Sequence, residues 1–93
     1  MEEKARQIAA LLKVLANENR LLMLCALMKS PLSVGEIAKY VPHITQSALS
    51  QHLTLMKTAG ILDFHKTGQS VVYHIADHRA EDVLRAIQTH FCT

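Results

Sequence analysis

The hydrophobic pattern of this 93-residue chain changes its period near Gly60. Before that glycine, apolar residues recur at the three- and four-residue spacing of helices in successive segments. After it come two short segments rich in β-branched and aromatic residues, separated by the turn-forming sequence Thr67-Gly68-Gln69. The helical period returns at Asp77 and continues to the last residues. We therefore expect four helices, a two-stranded hairpin and a final helix.

Capping residues set the expected limits of these elements. Asn17 precedes a strongly apolar helix, and Ser33 with Glu36 forms the Ser-x-x-Glu pattern of a capping box. Thr45 is expected to cap the fourth helix, and Gly60 to end it. The helices are predicted over residues 2–15, 18–28, 33–40, 45–59 and 77–93, and the strands over residues 61–66 and 70–76. This order predicts a winged helix-turn-helix, mainly helical with a small β-hairpin, as one domain over residues 1–93.

The fourth predicted helix carries the residues that point to a function. A short helix, a tight break and a second helix is the arrangement that lays the second helix in the major groove of DNA. Leu49, Leu53 and Met56 line one face and are expected to pack inward. The opposite face presents hydroxyl and amide side chains, namely Ser47, Ser50, Gln51 and Thr54. Such groups bond base edges and phosphate oxygens. Residues 45–60 contain no carboxylate, and Lys57 adds a cation, which favours DNA contact over an ordinary solvated face.

The composition favours an assembly of subunits. Hydrophobic residues make up 49% of the chain and charged residues 19%. A chain this short buries only about two-thirds of its unfolded surface, so a partner subunit is the expected cover for the remaining apolar area. No run approaches the roughly 18 apolar residues of a membrane span, and the opening Met-Glu-Glu-Lys does not resemble a signal peptide. We expect a cytoplasmic protein with no membrane partner.

The sequence gives little support to catalysis. The net charge of +2 permits DNA binding without requiring it. No nucleophile–base arrangement, metal motif or Gly-rich phosphate loop is present, and the six histidines lack ligand spacing. We expect no enzymatic activity, no cofactor and no metal. A protein-interaction module is the alternative, and it would explain the amphipathic first and last helices but not the carboxylate-free fourth helix.

Five motifs resemble those of the ArsR/SmtB repressor family, and together they span nearly the whole chain. They are residues 15–24 (LANENRLLML), 33–38 (SVGEIA), 45–53 (TQSALSQHL), 60–62 (GIL) and 68–73 (GQSVVY). The resemblance implies a homodimeric repressor of double-stranded operator DNA that leaves its operator when an inducer binds. It also implies that the first and last helices form the dimer interface.

The same resemblance assigns residues to these roles. Those expected to face the major groove are Gln46, Ser47, Ser50 and Gln51. The wing near Lys66 and Gln69 would contact the adjacent minor groove. Lys57 is expected from its charge alone, and not from the resemblance, to contact the phosphate backbone. His52 fits the family pattern but lies beside the core face, so we interpret it as a structural hydrogen-bonding residue. The residues expected to bury against the partner subunit are Ile8, Leu11, Leu12, Leu84, Ile87 and Phe91.

Two known sensor sites of the family fit this sequence poorly. Arsenic and cadmium or lead sensors carry Cys-Val-Cys in the first DNA-binding helix, where residues 33–35 are Ser-Val-Gly. Zinc sensors use four ligands on the last helix. Only two of these positions carry a matching residue here, namely Asp77 and His90. Arg79, a fixed cation, stands at another of these positions and opposes a metal ion. A metal-responsive repressor with Cys and His ligands remains an alternative, as does a regulator without a sensor.

A third type of site fits better. Cys25, near the end of the second helix, and Cys92, at the end of the last, resemble the cysteine pair of the BigR/SqrR/HlyU branch. Members of that branch sense persulfides or oxidants by joining the two sulfurs within one subunit. Attack requires a thiolate, which Lys29, one turn after Cys25, would favour. The alternative is that Cys25 fills the core. We expect reactive sulfur species or an oxidant as the inducer.

Overall fold

The computed structural model describes residues 1–91, without the side chain of Phe91, so the predicted sensor residue Cys92 lies outside the described residues. The helices over this range are α1 (Glu2–Leu15), α2 (Glu18–Leu27), α3 (Val34–Ala38), α4 (Gln46–Thr58) and α5 (His78–Phe91). The strands are β1 (Leu32–Ser33), β2 (Leu62–Thr67) and β3 (Ser70–Ile75). The predicted winged helix-turn-helix is confirmed.

Side-chain caps begin the central helices where the sequence predicted them. Asn17 Oδ1 accepts a hydrogen bond from the backbone N–H of Arg20 at 3.0 Å, which starts α2. Thr45 Oγ1 accepts one from the backbone N–H of Ala48 at 3.0 Å, which starts α4. Each cap satisfies an N–H group that has no partner within its helix. Their positions in the chain therefore determine where these two helices begin.

A capping box begins the short helix α3. The backbone N–H of Ser33 donates to Glu36 Oε1 at 2.9 Å, and the N–H of Glu36 donates to Ser33 Oγ at 3.2 Å. The hydrogen bond from the Ser33 backbone, more than that from its hydroxyl, lowers the pKa of Glu36. The helix ends at Ala38 rather than at Tyr40 as predicted. Similarly, α2 ends at Leu27, one residue earlier than predicted.

Gly60 ends α4 and turns the chain into the sheet. Its φ of 80° lies in the left-handed region, which glycine adopts without the strain that a Cβ atom causes. The N–H of Gly60 donates to the carbonyl of Lys57 at 2.9 Å, and that of Ile61 to Met56 at 3.0 Å. These two bonds form a Schellman motif. Strand β2 consequently starts two residues after the glycine.

The sheet has three strands, one more than predicted. β3 lies between β1 and β2 and is antiparallel to both. Strand β1 consists of Leu32 and Ser33, which pair with Tyr73 and Val72. Two residues show no alternation, so the sequence pattern contained no signal for this strand. Because β1 leads directly into α3, it attaches the helix-turn-helix to the wing.

One hydrophobic core joins the helices to the sheet. Its fully buried members include Met23 and Leu24 of α2, Ile37 of α3 and Leu84 of α5. Helix α2 is apolar on most sides and accordingly lies at the centre of this cluster. The inner face of α4 packs on the same core, so its opposite face is directed to solvent.

Helix α1 reaches this core only through its C-terminal part. Leu15 is buried and Leu11 and Val14 pack against the cluster, whereas residues 1–10 are all exposed. Ile8 is 56% exposed and Leu12 is 48% exposed. We call residues 1–12 the α1 arm. Over residues 1–91, no helix combines the length and apolar character needed to cross a membrane.

Candidate nucleic-acid interface

Helix α4 has the two faces that the sequence predicted. Leu49, Leu53 and Met56 are at most 3% exposed. The residues exposed on the opposite side, which we call the outer face, are Gln46, Ser47, Ser50, Gln51 and Thr54. Within the described part of the chain, these side chains make no hydrogen bonds to other residues. Their donors and acceptors are therefore available to a ligand.

The outer face forms one wall of an open groove of about 1020 Å³. The end of α1 forms the other wall through Ala10, Lys13 and Val14. Arg20, from the first turn of α2, also lines the groove. The α4 wall is thus open to solvent, and Arg20 lies between it and α1.

Lys57, the cation of α4, contacts two residues of β2. Its Nζ atom lies 3.8 Å from Asp63 Oδ1 and 5.3 Å from the centroid of the Phe64 ring. These contacts connect the end of α4 to β2. The Lys57 side chain is still 42% exposed, and exposed ion pairs of this kind are weak. The ammonium group can therefore exchange its carboxylate partner for a phosphate.

The tip of the wing presents its predicted polar residues to solvent. Thr67 pairs with Ser70, so Gly68 and Gln69 form a two-residue hairpin loop. Gly68 has a φ of 61°, as such tight turns require. Gln69 and the neighbouring Lys66 are both exposed. The second predicted DNA-contacting element is thus accessible.

Two hydrogen bonds attach the start of α2 to the helix-turn-helix. Arg20 Nη1 lies 3.4 Å from His52 Nδ1 on α4, and Asn19 Oδ1 lies 2.8 Å from His43 Nε2 in the turn between α3 and α4. The structural role predicted for His52 is confirmed. No local sequence pattern predicts the contact of Arg20, because its partner His52 lies 32 positions away in the chain.

Asp77, one of the two residues that match the zinc ligands of the family, is engaged by a cation rather than by further ligands. Asp77 accepts hydrogen bonds from the Arg79 side chain at 2.8 and 3.1 Å, and from the Arg79 backbone N–H at 2.9 Å. The side-chain bond from Arg79 is the main cause that lowers the pKa of Asp77. Asp77 therefore caps α5 and pairs with a cation. Among the described residues, no group of three or more His, Cys, Asp or Glu is arranged to hold a metal ion.

The predicted sensor cysteines are only partly within the described residues. Cys25 lies in α2 and is half-buried. Lys29, predicted to favour its thiolate, is exposed. The described part of α5 shares the core with α2, since Leu84 and Leu24 belong to one cluster.

One predicted dimer residue is misplaced. Leu84 is 1% exposed in the single subunit and belongs to its own core, so it has no surface left for a partner. Ile8 and Leu12 are exposed, Leu11 and Ile87 are half-buried, and nothing is described of the Phe91 side chain. Among the predicted dimer residues whose side chains are described, the exposed ones are Ile8 and Leu12 of α1.

A short capped helix, an exposed carboxylate-free helix and an antiparallel wing together define a winged helix-turn-helix DNA-binding protein. The sequence profile described as "Bacterial regulatory protein, arsR family" matches residues 17–63. The chain belongs to this family. It is a DNA-binding transcriptional regulator and not an enzyme.

Individual relatives are similar over nearly the whole chain. The biofilm growth-associated repressor of Agrobacterium fabrum is 36% identical over 99% of this chain and 78% of its own length. The solved structure of reduced HlyU from Vibrio cholerae superposes with a TM-score of 0.94 and 34% identity, covering 100% of this chain and 97% of that one. A homodimeric winged helix-turn-helix DNA-binding domain from Mycobacterium bovis superposes with a TM-score of 0.81 and 25% identity, over 95% of this chain and 81% of that one.

Proposed function

We propose that this protein is a homodimeric repressor that binds double-stranded operator DNA through α4 and the wing. The proposed major-groove residues are Gln46, Ser47, Ser50 and Gln51. Lys66 and Gln69 would reach the minor groove, and Lys57 a phosphate. The observation that carries this proposal is the outer face of α4, whose polar side chains are exposed, make no hydrogen bonds to other described residues and are accompanied by no carboxylate. A helix face that only contacts water has no reason to lack carboxylates, whereas a face that contacts phosphate does.

Specific binding is tested by fluorescence anisotropy with DNA from the promoter of its own gene and with scrambled DNA of equal length. Salt must be held constant, because phosphate contacts make affinity strongly salt-dependent. We expect two subunits per site and half-sites separated by about one helical turn or a multiple of it. Equal affinity for both DNAs would exclude a sequence-specific regulator of that promoter.

The subunits are proposed to associate through α1 and α5. Ile8 and Leu12 would supply the exposed apolar surface, with Leu11 and Ile87 beside them. The Mycobacterium bovis relative is described as homodimeric, which supports this arrangement. Pairing would cover the apolar surface that the α1 arm leaves exposed in one subunit.

The proposed inducer is a persulfide or another sulfane-sulfur donor that links Cys25 to Cys92. One thiolate attacks the outer sulfur of a donor R–S–SH, releases R–S⁻ and becomes a persulfide. The second thiolate then attacks the cysteine sulfur of that persulfide and releases HS⁻, leaving a disulfide. The transferred sulfur accepts the two electrons that the cysteines lose. One solved relative is described as reduced HlyU, so its redox state was specified, and this supports a proposal in which the redox state of this chain matters.

Such a bridge would connect α2 to the end of α5, and so to the proposed dimer interface. Release of DNA then needs only a modest coupling between the two sites, typically about 1–3 kcal/mol. A direct disulfide requires Cα atoms within about 7 Å, whereas polysulfide donors can leave additional sulfur atoms in the bridge and span a longer gap.

Single cysteine variants test this switch. When reduced, Cys25→Ser and Cys92→Ser should bind operator DNA like the wild type. After treatment with a persulfide donor, the wild type should dissociate and both variants should stay bound. Treatment with reduced glutathione, which carries no sulfane sulfur, is the control. Mass spectrometry should show loss of two hydrogens, plus one sulfur for each atom added to the bridge. A variant that still dissociates normally would rule out the cysteine pair.

A further inference from the structure

We propose that Arg20 is a positioning residue that fixes the orientation of α4 relative to α1, and that it acts through the neutral ring of His52. The inference rests on the proposed function, because it assumes that the outer face of α4 contacts DNA. Among the described residues, the Arg20 side chain makes its hydrogen bonds to Val14, Lys13 and His52, and none to the outer-face side chains. Its effect on DNA binding would be exerted through α4.

On one side, the Arg20 guanidinium holds the end of α1. Its Nε donates to the carbonyl of Val14 at 2.6 Å, and its Nη2 donates to the carbonyl of Lys13 at 3.5 Å. Carbonyl groups in the last turn of a helix lack partners within the helix and carry its negative partial charge. A guanidinium is always charged and presents several donors in a rigid plane, so it suits this position.

On the other side, the same guanidinium holds α4. Its Nη1 lies 3.4 Å from Nδ1 of His52, which is half-buried between the outer face and the core face. Gln51 and Leu53 are the chain neighbours of His52, the first exposed and the second buried. The hydrogen bond to His52 therefore attaches Arg20 to the part of α4 that carries Gln51.

The backbone of Arg20 is itself fixed, since its N–H donates to Oδ1 of the cap residue Asn17 at 3.0 Å. The three helices α1, α2 and α4 thus meet at one side chain. Among the described residues, no other side chain forms hydrogen bonds with both the end of α1 and α4.

The link depends on the protonation state of His52. Arg20 only donates hydrogen bonds, so Nδ1 must accept and cannot carry a proton. Burial, and secondly the charge of Arg20, lower the pKa of His52. Lys13 is a further cation in the same groove, and Lys57 of α4 is paired with Asp63. Protonation of Nδ1 would place two cations face to face and break the link.

The sign of the pH effect follows from this lowered pKa. The contribution of His52 to the link with Arg20 is fully present above the ordinary histidine pKa of about 6.5. It is lost as the pH falls through the lower pKa that His52 has in the folded protein. Operator affinity should therefore fall in weak acid. Exposed histidines near DNA would have the opposite effect, because their added charge attracts phosphate.

The experiment measures operator affinity by anisotropy at about pH 7.5 and at the lowest pH at which the wild type remains folded, at one ionic strength, for four variants. His52→Asn retains an acceptor near the position of Nδ1 but does not titrate. His52→Leu removes the acceptor. Arg20→Gln removes the guanidinium. His43→Gln is the control, since His43 is also hydrogen-bonded to the start of α2 but is exposed.

At the higher pH, we expect His52→Asn to bind about as tightly as the wild type, and Arg20→Gln and His52→Leu to bind roughly ten-fold more weakly. At the lower pH, the wild type should approach His52→Leu, while His52→Asn keeps its affinity. His43→Gln should retain the pH dependence of the wild type.

Three results would overturn the inference. They are an identical pH dependence of the wild type and His52→Asn, wild-type affinity of Arg20→Gln, and loss of the pH dependence in His43→Gln. If thermal unfolding shows that Arg20→Gln is not folded, the two His52 variants alone test the inference. Loss of operator specificity in the wild type at both pH values would instead contradict the proposed function.

Discussion

Gln51 gives the most direct test of base recognition at the scale of single residues. Its side chain is exposed in the second turn of α4, and its amide can bond an adenine edge. We expect Gln51→Ala to weaken binding to the operator by roughly 1–3 kcal/mol and to leave binding to scrambled DNA nearly unchanged. Parallel titrations of both DNAs measure the difference. Equal losses on the two DNAs would show that Gln51 does not contact a base.

Lys57 is expected to act on all DNA sequences alike. Lys57→Ala should weaken binding to operator and scrambled DNA and reduce the slope of log affinity against log salt by about one. Asp63→Asn is the matched variant, because it releases Lys57 from its 3.8 Å ion pair and removes a negative charge near the DNA. It should strengthen binding to both DNAs. An unchanged salt slope in Lys57→Ala would mean that this side chain only connects α4 to β2.

At the scale of elements, the end of α4 depends on the backbone of Gly60. A Cβ atom built on Gly60 meets no other atom within 4 Å, so the cost of Gly60→Ala comes from its φ of +80°. We expect a loss of about 1–2 kcal/mol in the free energy of unfolding, measured by chemical denaturation.

Gly35 provides the control for this substitution. It lies in α3 and also has open space around a built Cβ, but it has no positive φ. Gly35→Ala should therefore stabilise the protein by about 0.5–1 kcal/mol. Destabilisation of similar size in both variants would contradict the assignment of the Gly60 effect to its backbone conformation.

Local signals determine most of the elements, which is why they were predictable. Asn17, Thr45 and Gly60 act on groups within a few residues of themselves, and the structure confirms all three. Strand β1 was missed because two residues carry no period and its partners, Tyr73 and Val72, lie about forty positions away. Its pairing is a property of the assembled sheet.

In the candidate site, too, some features follow from local sequence patterns and others do not. The inner face of α4 follows from helical spacing, and the absence of carboxylates is visible in the sequence. The contact of Arg20 with His52 joins two helices that are distant in the chain, so no local pattern predicts it. Leu84 shows a related limit: the stripe on α5 indicates that one face is buried, but not whether the same subunit or another one covers it.

At the scale of the whole molecule, we expect dimer formation and specific DNA binding to depend on pairing of the α1 arms. Leu12→Glu places a charge on a residue that is 48% exposed in one subunit and would be desolvated in the proposed dimer, which is costly. We expect monomers in sedimentation and loss of specific DNA binding, since the dimer sets the spacing of half-sites.

Tyr40→Glu is the control for this charge. Tyr40 is 46% exposed, much like Leu12, but follows α3 in the helix-turn-helix. This variant should remain a dimer. A wild-type protein that sediments as a monomer at micromolar concentration, or a Leu12→Glu variant that remains a dimer, would contradict the proposed interface.

The exposure of the α1 arm also bears on the lifetime of the protein in a cell. Helices of about 12–15 residues are marginal in water without packing, and α1 has 14 residues, of which the first nine are exposed. In a subunit without a partner, this segment should unravel and become a substrate for proteases. Paired subunits would be protected, so turnover would remove single copies first. The number of copies synthesised would then set the fraction that survives as well as the occupancy of the operator.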